Sequence, residues 1–63
     1  MSTARGRLWK RMVESGRWSK QDLIEKIGSA PKRQDIVDAL EAIGVEAPPG
    51  ATNQELYDLL QNA

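Results

Sequence analysis

The sequence predicts an all-α domain of four short helices around one small core. Three observations carry that expectation. Apolar side chains recur at helical spacing in four segments. Glycine or proline punctuates each gap between them. No segment alternates apolar and polar residues as a strand does.

The first helix is expected over about Ala4–Ser15. Leu8, Trp9, Met12 and Val13 form its apolar stripe, and Arg7, Lys10, Arg11 and Glu14 occupy the other face. Gly16 is a natural stop, and Arg17-Trp18 makes a short connection. The second helix begins at Ser19, where Ser19-Lys20-Gln21-Asp22 resembles a capping box with Asp at its last position. Leu23, Ile24 and Ile27 are its inward side, and Gly28 ends it.

The third helix is expected to open with Ser29 or Ala30 as cap and Pro31 in the first turn, where its missing N–H costs nothing. Ile36, Val37, Leu40 and Ile43 keep a helical period up to Gly44. Pro48 and Pro49 then favour an extended path over residues 44–51. Thr52-Asn53-Gln54-Glu55 is a full capping box for a fourth helix, with Leu56, Leu59 and Leu60 facing inward. The second and fourth helices echo one another at a 33-residue offset, Ser19-Lys20-Gln21-Asp22-Leu23 against Thr52-Asn53-Gln54-Glu55-Leu56. Capping boxes look alike wherever amphipathic helices start, and two copies do not establish a repeat. The expected core is Leu8, Trp9, Met12, Val13, Trp18, Leu23, Ile24, Ile27, Ile36, Val37, Leu40, Ile43, Val45, Leu56, Leu59 and Leu60.

Sixty-three residues allow one domain, 1–63, with a thin core. The formal net charge of zero conceals a strong polarity. Residues 1–33 hold all nine Lys and Arg and three acids, a net of +6. Residues 34–63 hold six acids and no base, a net of −6. Such asymmetry points to a charged partner. There is no Cys and no His. Disulfides and thiolate metal sites are excluded, zinc would need carboxylates alone, and no cofactor or metal is expected. Cysteine-free composition agrees with a reducing, cytoplasmic setting. No apolar run reaches a membrane span, so no membrane partner is expected. Catalysis has little support, since no serine has an evident base. The i, i+3 carboxylate pairs Asp35/Asp38 and Asp22/Glu25 read as ordinary solvated charges.

The stretch Asp35–Leu60 is the most specific in the chain. Leu40, Gly44, Val45, Thr52, Glu55, Leu56 and Leu60 carry its pattern: a helix, a proline-containing loop, a capped helix. Over about residues 34–62 it resembles the helix–extended loop–helix superfamily, with its SAP, LEM, Rho N-terminal and phage HeH modules. The SAP-like branch implies duplex DNA binding through the loop and the start of the second helix. The LEM branch implies binding a protein that itself binds DNA. SAP-like and HeH modules usually carry Lys directly after the second-helix cap; Asn53 stands there instead, and the unit is acidic throughout. Phosphate would repel it.

A nucleic-acid site is therefore expected on the basic half: Arg5, Arg7, Lys10, Arg11, Arg17, Lys20, Lys32 and Arg33. These would serve a DNA- or RNA-binding accessory protein of phage or bacterial origin. Residues 8–45 also resemble the opening of a winged helix-turn-helix. Against that stand Asp35, Asp38 and Glu41 on the would-be recognition helix and a chain that ends in a helix without a β-wing. The alternative is a protein–protein adaptor, inhibitor or virion-assembly accessory. In that reading Glu46, Glu55 and Asp58, around the extended loop, dock a basic partner or the basic half of a second copy. Trp9 belongs in the core by spacing, and Trp18, in the loop between the first two helices, is expected to plug the core.

Overall fold

The computed structural model describes residues 3–63. Four helices account for the regular structure: α1 Ala4–Glu14, α2 Lys20–Ile27, α3 Arg33–Ala42 and α4 Asn53–Asn62. The described residues contain no strand. The fold is all-α, as the periodicity predicts. α3 is the hub, with α1, α2 and α4 all packed on it. Leu23, Ile27, Ile36, Ala39, Leu40, Ala42, Leu56 and Leu60 are buried between the helices, with Trp9 at the edge.

Local chemistry explains most boundaries. Ser19 caps α2: its hydroxyl accepts from the Asp22 N–H, and Asp22 accepts from the Ser19 N–H at 2.8 Å. α1 ends in a Schellman motif. Gly16, at φ 80°, donates its N–H to the Val13 carbonyl while Arg17 donates to Met12, both at 3.0 Å. The end of α3 repeats this at Gly44, where Val45 donates to the Leu40 carbonyl at 2.9 Å.

α4 has the complete box. Glu55 N–H donates to the Thr52 hydroxyl at 3.2 Å, and Thr52 N–H donates to the Glu55 carboxylate at 2.9 Å. That backbone N–H, then the Thr52 hydroxyl, holds the Glu55 carboxyl below its ordinary pKa. Replacing Thr52 by alanine is expected to cost about 1 kcal/mol in urea denaturation. No loss would mean that the first turn of α4 is frayed.

Four expectations are corrected. The N-cap of α3 is Lys32, not Ser29 or Ala30, and Pro31 lies before the cap. Proline disfavours helical backbone at the residue before it, and Asp35 supplies the cap by accepting the Lys32 N–H at 3.1 Å. Residues 44–51 are not extended throughout: the chain turns at Pro49-Gly50, with Ala51 N–H donating to the Pro48 carbonyl. Leu8 is 53% exposed and Leu59 38%, so neither fills the core. α1 packs mainly on α3, and that one-sided contact buries Gly6 and Trp9 with Val13 beside them, three and four residues apart. Leu8 falls outside that stripe.

The last correction is Asp38, which reads as a solvated charge but is 1% exposed. It faces α1 across the α1–α3 contact. Gly6 permits this approach, because a Cβ there would meet the Glu41 carboxylate and stand 3.2 Å from Asp38 Oδ1.

Candidate functional site

The eight basic residues expected to form one nucleic-acid surface divide in the folded chain. Three are committed to the fold. Arg5 Nε donates to Asp38 Oδ2 at 2.7 Å, and Arg5 Nη2 donates to Asp35 Oδ1 at 2.6 Å. Its guanidinium also lies 4.8 Å from the centre of the Trp9 ring. Lys20 Nζ donates to the carbonyls of Gln61 and Ala63, at 2.8 and 2.9 Å. It thus places a cation where the dipole of α4 is negative. Arg33 donates to the carbonyls of Ala51 and Pro49, tying the start of α3 to the proline turn. Those carbonyls are therefore already engaged, as is Pro48, and the loop is not a row of vacant acceptors.

The remaining five are Arg7, Lys10, Arg11, Arg17 and Lys32, each exposed. At 100° per residue, Arg7, Lys10 and Arg11 span an arc of about 100° on α1. Lys10 shares a shallow depression with Glu41 and Glu46. Arg17 shares another with Asp22 and Glu25, beside Trp18 and Lys26. Among the described residues, Arg7 and Arg11 are neighbours at i, i+4 on α1. Lys32 lies apart, at the start of α3, with its backbone on Asp35.

Asp38 organises the basic end. Its carboxylate accepts from the Thr3 hydroxyl at 2.7 Å, from Arg5 and from the Gln34 amide at 2.8 Å. Thr3 simultaneously caps α1, accepting from the Gly6 N–H at 2.9 Å. Burial pushes the Asp38 pKa up, but the three hydrogen bonds and the Arg5 charge outweigh it and hold it below the ordinary value. Asp35 is lowered by Arg5 and then by the Lys32 N–H, and Arg5 is raised in return.

The acidic residues divide too. Glu55 and Asp58 line an open groove of about 550 Å³ between the proline turn and α4, with Pro48, Gly50, Ala51, Leu59 and Asn62. Glu46 lies elsewhere, in the depression with Lys10. The groove joins an exposed apolar side chain, Leu59, to two carboxylates. Helical spacing alone places Leu59 in the core, so its position in the groove is not legible in the sequence. Lys26 was also missed: its ammonium sits 4.1 Å from the Trp18 ring centre, and Trp18 packs edge-on against Trp9 at 6.5 Å. Lys26 lies eight residues after Trp18, a separation that no local pattern singles out.

Among the described residues no cluster of His, Cys, Asp or Glu is arranged to hold a metal ion. No described helix is long and apolar enough to cross a membrane. No protein-family model, curated protein or solved structure matches the chain.

Proposed function

We propose that this protein is a non-enzymatic binding module of the adaptor type, which engages a basic polypeptide through the groove beside α4. The observation that carries this reading is the groove itself: Leu59, Pro48 and Ala51 supply apolar surface, and Glu55 and Asp58 supply negative charge. A partner with an aliphatic side chain flanked by Lys or Arg matches it. The carboxylates select such a partner and speed encounter more than they tighten the complex. α3, residues 43–52 and the capped α4 follow the helix–loop–helix order that the resemblance implies. Of its branches, the protein-binding one suits the acidic second helix.

A second reading is nucleic-acid binding along α1, favoured by the exposed Arg7, Lys10 and Arg11 and by Arg17 in the next turn. Arg5, Lys20 and Arg33 leave this site, being engaged inside the fold.

One titration separates the two readings. The chain is followed by amide NMR shifts while a synthetic helical peptide, with a leucine between two arginines, or a short DNA duplex is added. The adaptor reading expects peptide-induced shifts at Ala51, Glu55, Asp58 and Leu59, abolished by Asp58→Arg. Shifts confined to α1 on adding duplex, with a log–log salt slope of about −3 for three neutralised phosphates, would overturn it in favour of nucleic acid.

A further inference from the structure

Leu8 and Leu59 are the exposed large hydrophobic residues among those described, at 53% and 38%. Their settings are opposite in sign. Leu8 lies on the outer face of α1 beside Arg7 and Arg11. Leu59 lies in the groove with Glu55 and Asp58. We propose that the groove of one copy receives the outer face of α1 from a second copy. This rests on the adaptor reading and narrows its partner to the chain itself.

Geometry supports the match. With a rise of 1.5 Å per residue, Arg11 lies about 4.5 Å beyond Leu8, and Glu55 about 6 Å before Leu59. An antiparallel approach that sets Leu8 against Leu59 therefore brings Arg11 to Glu55. Within one molecule the two faces do not meet, because α1 packs on α3 without substantial packing on α4. α1 of the same copy therefore does not occupy the groove.

Electrostatics act in the same direction. Arg11 near Leu8 and the carboxylates of Glu55 and Asp58 near Leu59 give the two faces opposite charge, and zero net charge leaves the copies without net repulsion. The contact is heterologous: each copy offers one α1 face and one groove, so association continues beyond two unless the rotation closes a ring. A surface this small supports weak, concentration-dependent assembly.

The experiment is sedimentation of the full chain from micromolar to millimolar concentration, at low and high salt. The expected result is a weight-average mass that rises with concentration and falls back with salt. Leu8→Glu and Leu59→Glu should each give a folded monomer by circular dichroism. Mixed in equal amounts they should give a dimer and nothing larger, because only one intact groove and one intact α1 face remain. If Leu59→Glu fails to fold, Asp58→Arg, at an exposed position, replaces it.

A wild-type chain that stays monomeric to millimolar concentration, or a mixture that stays monomeric, overturns the proposal. The peptide titration above distinguishes the two levels. A monomer that still binds the peptide at the groove overturns the second-copy partner alone, and a monomer that binds none overturns the adaptor reading with it.

Discussion

Replacing Asp38 by alanine is expected to remove about 3 kcal/mol of stability at neutral pH, near the lower end for breaking a buried ion pair. The lower end applies because Arg5, its cationic partner, is 44% exposed and recovers some hydration. The side chain accepts from Thr3, Arg5 and Gln34 at once, so its loss unmoors the start of α1 and the first turns of α3 together. A domain this small has only about 3–5 kcal/mol in total, and a loss of about 3 kcal/mol lowers Tm by roughly 20 °C. Thermal denaturation followed by circular dichroism measures it. A shift of only a few degrees would mean that Asp38 is a spectator at the α1–α3 contact.

The acid limb of stability tests the same group. The Asp38 and Asp35 pKa values lie below the ordinary carboxylate value in the folded state. Their contribution is therefore complete above the unfolded pKa of about 3.9 and is lost as pH falls through the folded values. Stability should drop below about pH 4, and Asp38→Asn should flatten that drop while lowering stability at neutral pH. A variant with the wild-type acid profile would assign the acid limb to other carboxylates.

Replacing Leu40 by alanine is expected to remove most of the chain's stability at 25 °C and leave it marginally folded. Leu40 is fully buried on the hub helix, and truncation of such a leucine costs about 3 kcal/mol in transfer and cavity terms together. Leu40→Met keeps the volume and should cost under about 1.5 kcal/mol. Leu8→Ala, the same chemical change on an exposed face, should stay within about 0.5 kcal/mol. Urea denaturation of the three variants measures the contrast. Equal losses for Leu40→Ala and Leu8→Ala would show that α1 buries Leu8 in solution.

The elements themselves were legible because their signals are local. Ser19 with Asp22 and Thr52 with Glu55 bring cap donors and acceptors within a single turn, where three-residue spacing alone dictates the geometry. Gly16 and Gly44 mark helix ends because a left-handed residue is needed there, whatever packs nearby. The cap of α3 was misplaced because its opening offers no Ser, Thr, Asn or Asp at Lys32. Asp35 does the work from three residues on.

The functional surfaces were legible only in part. Charge segregation is written in the composition, but which cations remain available to a partner is not. Arg5, Lys20 and Arg33 each bond to residues at least 16 positions away, and no periodicity encodes such a meeting. Asp38 shows the same limit from the acidic side. On its own helix it is one more carboxylate at i+3 from Asp35. Only Gly6, 32 residues earlier, lets α1 come close enough to cover it.

By itself, then, the sequence determined the number, type and approximate limits of the helices and the separation of charge into two halves, because propensity, capping and net charge act over a few residues. The tertiary structure decided which charges became structural and which apolar residues stayed outside. Leu8 and Leu60 are both leucines on amphipathic helices, yet one is 53% exposed and the other 0%. α1 meets essentially one neighbour and α4 meets two. A helix's buried arc is set by how many partners surround it, and that number belongs to the packed molecule rather than to any segment of its chain.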